Sequence, residues 1–278
     1  MWVRRGPVIT APVLEVVVAE QCNLSCRACS HLSPVAPKKF AEPAQVRTAL
    51  QVLSTAFRMK VVKLMGGEPL LHPDLPAVVA SVRDATPSAE IHLITNGHMM
   101  SRIDMSDLRD IDQITLSNYT SAPIRRSDSD ALEQAERHGI RVVRQSIAQF
   151  NESYCEQPHS DRDTTARVYR TCKIAHDWNC FTLRGEFFFK CPQAYALTTV
   201  LGVAASGRHS ENGINLADQA LTDPVVLADI LHGYLSSEEP LPACRHCLGS
   251  SGRVITHEQV PRRFWRSAQA GMPYRLLT

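Results

Sequence analysis

What the 278-residue sequence lacks narrows its reading first. No apolar run approaches the roughly 20 residues of a membrane span, so no membrane partner is expected. The opening "MWVRRGPVITAPVLEVVVAEQ" has no small-residue cleavage site after its apolar stretch, and a soluble, cytoplasmic protein is the expectation. Charge of one sign is also missing. Against 28 Asp plus Glu stand 30 Lys plus Arg, a formal net charge of +2, which gives nucleic acid no field to recognise. No P-loop, Ser-His-Asp spacing or paired-carboxylate arrangement stands out, and the eleven histidines form no metal constellation. Low-complexity segments are absent, and so is any repeat beyond an alternation of strands and helices.

That alternation carries the fold. Strand patterns fall at residues 13–19, 61–67, 91–96, 111–117 and 141–147, and helical patterns at 42–57, 75–86, weakly at 99–110, and at 129–139, ending in a C-cap glycine. Such a βα series makes a mainly parallel sheet, and five strands in about 140 residues make an open barrel rather than an eightfold one. Beyond residue 150 the series stops. Residues 180–190 read as a hairpin turning at Arg184 and Gly185, residues 223–235 as a helix, and "PRRFWRSAQ" as a basic, aromatic helix packed on the body.

The nine cysteines are clustered, which in a reducing compartment points to metal or catalysis rather than to disulfides. Cys22, Cys26 and Cys29 follow the first strand with spacing CxxxCxxC, at the catalytic end of a βα barrel. Three thiolates hold three irons of a four-iron cluster and leave one iron open to chelate a small molecule. A zinc site completed by His31 is the competing reading. At the end of the second strand stands "MGGEP": Gly66 and Gly67 allow close approach to the backbone, and Glu68 offers a negative group to an ammonium. A second set, Cys172, Cys191, Cys244 and Cys247, offers four thiolates, a closed site that zinc and an iron–sulfur cluster both accept.

Taken together, CxxxCxxC and GGEP resemble the radical S-adenosylmethionine superfamily over roughly residues 13–150. The resemblance implies an α/β fold: a partial (β/α)6-type TIM barrel with a small C-terminal cluster-binding annex. It divides the chain into a core at 10–155, an auxiliary unit at 156–250 and a tail at 251–278. It further implies that Cys22, Cys26 and Cys29 bind a [4Fe-4S] cluster whose open iron chelates S-adenosyl-L-methionine. Gly66, Gly67 and Glu68 would receive the methionine amino group, and Thr95, Asn96, Ser117 and Asn118 would serve the ribose and carboxylate. Family members usually have an aromatic residue before the third cysteine; here it is Ala28, so the adenine contact is expected elsewhere.

The pattern cysteine, hairpin, "CP" and CxxC is similar to the twitch domain, a shortened SPASM annex, and implies a second, auxiliary [4Fe-4S] cluster on Cys172, Cys191, Cys244 and Cys247. The overall design resembles 2-deoxy-scyllo-inosamine dehydrogenases and related enzymes. It implies reductive cleavage of the cofactor to a 5′-deoxyadenosyl radical, hydrogen abstraction from a sugar, aminocyclitol or nucleoside, and oxidation of an alcohol to a ketone in specialised metabolism. An external donor such as flavodoxin or ferredoxin would supply the electron. The alternatives are a radical epimerase, with Cys180 or Cys155 as catalytic hydrogen donor, and a peptide-modifying enzyme.

Overall fold

Leu14, Val16 and Val18 alternate along one face of the longest described strand, and that face organises the molecule. The computed structural model describes residues 2–155, 158–201 and 211–267. A short strand, β1 (Val3–Arg5), turns through Gly6 and pairs antiparallel with the start of β2 (Val8–Ala19). The series then runs α1 (Pro43–Ser54), β3 (Phe57–Gly66), α2 (Leu75–Ala85), β4 (Glu90–Thr95), β5 (Gln113–Tyr119), α3 (Arg126–Arg137) and β6 (Arg141–Ile147). β2 to β6 pair in parallel in chain order. Val62, Leu64, Leu93, Ile114 and Leu116 extend the apolar face of β2 and pack with Leu50 and Leu53 of α1 and Val78 and Val82 of α2. Each such side chain contributes on the order of 2 kcal/mol by leaving water.

Local chemistry sets the helix limits. Asp74 caps α2 by accepting from the Ala77 N–H at 3.2 Å, and Pro43 opens α1 where its missing N–H costs nothing. Residues 99–110 are not one helix but two 3₁₀ turns, Met100–Arg102 and Met105–Leu108. Asp104, between them, accepts from the Ser106 N–H at 2.9 Å and restarts the chain.

The second half comprises β7 (Gln149–Asn151), α4 (Arg162–Arg170), α5 (Lys173–His176), β8 (Thr182–Arg184), β9 (Phe187–Phe189), α6 (Pro192–Leu201), β10 (Gly213–Asn215), α7 (Pro224–Ser236), β11 (Val254–Thr256) and α8 (Arg262–Ser267). The hairpin of β8 and β9 turns at Gly185, whose φ of +56° suits glycine. It does not stand apart from the barrel: β8 pairs in parallel with the outer edge of β2, giving the order β10-β9-β8-β2-β3-β4-β5-β6. An unpaired edge beside a central strand invites such an addition. Edge-to-face contacts of Phe57 with Phe181 and Phe188, at 5.8 and 5.4 Å, seal the join. Buried Glu20 clamps it, with Arg184 Nε 2.5 Å from one carboxylate oxygen and the Tyr195 hydroxyl donating to the other. The fold is thus a partial TIM barrel whose sheet is prolonged by the hairpin of β8 and β9. β11 pairs with β7, α8 buries Trp265, and residues 268–278 of the expected tail lie outside the described residues.

Candidate active site

The C-terminal ends of β2 to β5 converge on a cavity of about 210 Å³. Cys22, Cys26 and Cys29 line it, with Gly66, Gly67, Thr95, Asn96 and Ser117. The cysteine loop doubles back on itself through left-handed residues, Ala28 at φ +57° and Leu32 at φ +53°. Against it lies the GGEP turn. Gly67 N–H donates to the Ala19 carbonyl at 2.8 Å and Glu68 N–H to the Gln21 carbonyl at 3.0 Å. A Cβ on Gly66 would stand 2.3 Å from the Ala19 oxygen, and one on Gly67 2.1 Å from the Gln21 oxygen. Both glycines therefore let the turn lie directly on the root of the cysteine loop.

Glu68 is buried, and the chain itself uses both its oxygens. Oε1 accepts from Thr95 Oγ1 at 2.7 Å and Leu70 N–H at 3.0 Å, and Oε2 accepts from Asn96 N–H at 2.9 Å. Burial raises its pKa to about 6, and these three hydrogen bonds oppose the rise. Asn96 carries the brace onward, donating to Asn23 Oδ1 at 2.7 Å and lying 3.6 Å from Cys22 Sγ. Ser117 faces the cavity. Asn118, one position on, is exposed on the other side of β5, as strand alternation requires.

The three thiols resist ionisation. Burial raises all three, Cys26 to about 12, and the charge of neighbouring cysteines adds to the effect at Cys22 and Cys26. Such a set loses its protons to an arriving cation rather than to solvent. Three thiols on one loop around one cavity fit an iron–sulfur cluster with one open iron. His31 also lines the cavity, burial holds its pKa down near 4, and its Nε2 is buried without a hydrogen-bond partner.

Several functional neighbours had no sequence signal. Tyr119 and Phe150 form the wall opposite the cysteines, and His257 stacks on Tyr119 at 4.5 Å and meets Phe150 edge-on at 4.7 Å. Next to His257 the chain runs as a strap across the cysteine loop: Arg27 N–H donates to the Glu258 carbonyl at 3.0 Å and Val260 N–H to the Ser25 carbonyl at 2.8 Å. Within the strap, Gln259 Nε2 donates to Cys26 Sγ at 3.0 Å and Arg262 to the Cys22 carbonyl at 2.5 Å.

Cys191, Cys244 and Cys247 pack in one apolar cluster and Cys172 in a small neighbouring one that Cys191 also touches; among the described residues no three His, Cys, Asp or Glu stand close enough to hold a single metal ion. Burial raises Cys247 well above the usual thiol value and Cys244 to about 12, and the nearness of Cys191, Cys244 and Cys172 adds to the rise at Cys247. Gly249 N–H donates to Cys247 Sγ at 3.2 Å. Tyr154 spans the two cysteine sets, its hydroxyl donating to the Ser30 carbonyl and its backbone bridging to Cys247. Cys29, Cys191, Cys244 and Cys247 pack in one apolar cluster with Tyr154 and Tyr195. Cys155 contacts the Arg245 carbonyl at 3.5 Å, and Cys180 packs beside Cys172 and Cys191; neither lines the cavity.

The family model of the Radical SAM superfamily matches residues 16–182. Among curated proteins, GTP 3',8-cyclase of Acidothermus cellulolyticus is 31% identical over 128 residues, 42% of this chain and 35% of that protein. Probable GTP 3',8-cyclase of Sulfolobus acidocaldarius is 23% identical over 143 residues, 47% of this chain and 45% of that protein. The chain thus spans less than half the length of these relatives. Among solved structures, BtrN in complex with AdoMet and 2-DOIA aligns with a TM-score of 0.53 at 18% identity, covering 86% of this chain and 94% of that one, a likeness of fold.

Proposed function

The chain belongs to the Radical SAM superfamily, and on that premise we propose that it oxidises an alcohol carbon of a sugar, aminocyclitol or nucleoside to a ketone. Cys22, Cys26 and Cys29 would hold the [4Fe-4S] cluster, and the backbone of Gly66 and Gly67 with Thr95, Asn96 and Ser117 would receive S-adenosylmethionine. Tyr119 and Phe150 offer the aromatic surface that Ala28 does not. Glu68 acts through Thr95 and Asn96, holding two strand ends in place. Bound together and reduced by a donor such as flavodoxin or ferredoxin, cluster and cofactor would supply the radical chemistry that removes a hydrogen atom from an unactivated carbon.

The observation that carries the oxidation is the second thiol set, of which Cys191, Cys244 and Cys247 pack in the same apolar cluster as Cys29. Converting CH–OH to C=O removes one hydrogen atom, one proton and one electron. The electron needs an acceptor close by, and Cys172, Cys191, Cys244 and Cys247 would hold an auxiliary [4Fe-4S] cluster that could supply one. The fold shared with BtrN, solved with AdoMet and 2-DOIA, supports the reading. A second reading follows the curated GTP 3',8-cyclases to a nucleotide substrate.

Two measurements test this. Anaerobic reconstitution should give about eight irons per chain, falling to about four when Cys172→Ala and Cys244→Ala are combined. Turnover in deuterium oxide with a panel of aminocyclitols, sugars, nucleosides and GTP should give 5′-deoxyadenosine and a product two mass units lighter than its substrate. A product of unchanged skeleton carrying one deuterium would instead mark an epimerase, and conversion of GTP alone would favour the second reading.

A further inference from the structure

The annex buries a cation that no carboxylate neutralises. Lys190, at the exit of β9 and directly before Cys191, is 1% exposed. Its ammonium donates to the Tyr169 hydroxyl, reaches the Ser237 carbonyl at 3.5 Å and lies 4.9 Å from the centre of the Tyr169 ring. The Tyr169 hydroxyl in turn donates to the Ser237 carbonyl at 2.8 Å. No carboxylate stands within ion-pair distance of Lys190 among the described residues. A lone ammonium taken from water is costly to a fold, and a hydroxyl, a carbonyl and a ring face return only part of that cost.

Lys190 directly precedes Cys191, and Tyr169, whose hydroxyl receives its ammonium, accepts the Cys172 N–H on its carbonyl at 3.1 Å; Cys244 and Cys247 pack with Cys191 in one apolar cluster. As thiols they are neutral and compensate nothing. Four thiolates around a [4Fe-4S]²⁺ core leave a net charge of −2. We propose that Lys190 is the built-in counter-charge of an anionic tetrathiolate centre on Cys172, Cys191, Cys244 and Cys247, so that the annex is matched to its loaded state. The proposal rests on the reading that this quartet holds a metal centre. It adds that the buried charge favours the reduced form and keeps the reduction potential of an iron–sulfur centre high, since a nearby cation stabilises the more negative reduced cluster.

Lys190→Met, which keeps the length of the side chain and removes its charge, tests this by melting temperature and potential. Wild type and variant are compared anaerobically, reconstituted and after chelator stripping; the first cluster contributes alike to both. The expected shifts have opposite sign: the stripped variant melts higher than stripped wild type, and the loaded variant melts lower than loaded wild type. In a titration followed by electron paramagnetic resonance, the signal lost in the Cys172→Ala, Cys244→Ala protein moves to more negative potential in Lys190→Met. Lys190→Arg retains the charge and should keep the wild-type gain in melting temperature on loading. Shifts of the same sign in both forms, with the potential unmoved, make Lys190 a packing residue and overturn the proposal. Iron and zinc contents that the double cysteine substitution leaves unchanged overturn the metal reading itself, and the counter-charge with it.

Discussion

Gln259 shows how much a single side chain does at this site. Its amide accepts from Ser25 N–H at 2.8 Å and donates to Cys26 Sγ at 3.0 Å, so one planar group fixes both the loop and the sulfur. An N–H donor on a cluster sulfur stabilises the added negative charge of the reduced state. Gln259→Leu should therefore move the potential of the cluster on Cys22, Cys26 and Cys29 to more negative values, read by potentiometric titration. The lost acceptor for Ser25 costs about 1 kcal/mol of stability. An unchanged potential would reduce Gln259 to a loop fastener.

Between elements, the decisive contact is the crossing of the GGEP turn over the cysteine loop. The backbone atoms that a Cβ would meet there cannot turn aside as a side chain can. Gly67→Ala, with its Cβ 2.1 Å from the Gln21 carbonyl oxygen, should destabilise the protein by about 1 to 3 kcal/mol or more and loosen the loop that holds Cys22. Gly139 closes α3 at φ +84° with nothing within 4 Å of an added Cβ, so Gly139→Ala costs only the left-handed backbone, about 1 to 2 kcal/mol. Chemical denaturation of both variants, with iron content after reconstitution, separates the two effects: Gly67→Ala should lose cluster and Gly139→Ala should keep it.

For the molecule as a whole, the barrel interior carries a buried acid that makes stability depend on pH. Glu15 of β2 is paired in register with Lys63 of β3 and Thr182 of β8, where barrel and annex hairpin meet, and its Oε2 is buried without a hydrogen-bond partner. Burial raises its pKa from 4.5 to about 7, against the pull of Lys63 and the Thr182 hydrogen bond. The folded protein therefore holds this proton more tightly than the unfolded chain. The stabilisation is fully present below about pH 4.5, is lost as pH rises to about 7, and does not change further above that. Glu15→Gln should remove that decline and leave the protein roughly 3 kcal/mol more stable than wild type at pH 8, measured by denaturant midpoints from pH 5 to 8.

The parallel series of strands from β2 to β6 with α1, α2 and α3 between them, the cysteine loop after β2 and the GGEP turn after β3 were all determined by the sequence itself. Period, glycine and cysteine spacing are local properties, and the chain states them within a few residues of where they act. Asn118 marks the limit of such reading: it sits in the right strand but on the wrong face, one residue from Ser117. What only the tertiary structure decided are contacts between residues far apart in the chain. Gln259 reaches Cys26 across 233 positions, the Tyr195 hydroxyl reaches Glu20 across 175, and the hairpin at residues 182–189 completes the edge of β2. These contacts depend on which edge was left unpaired and which loop lay uncovered, and no spacing in the sequence encodes either.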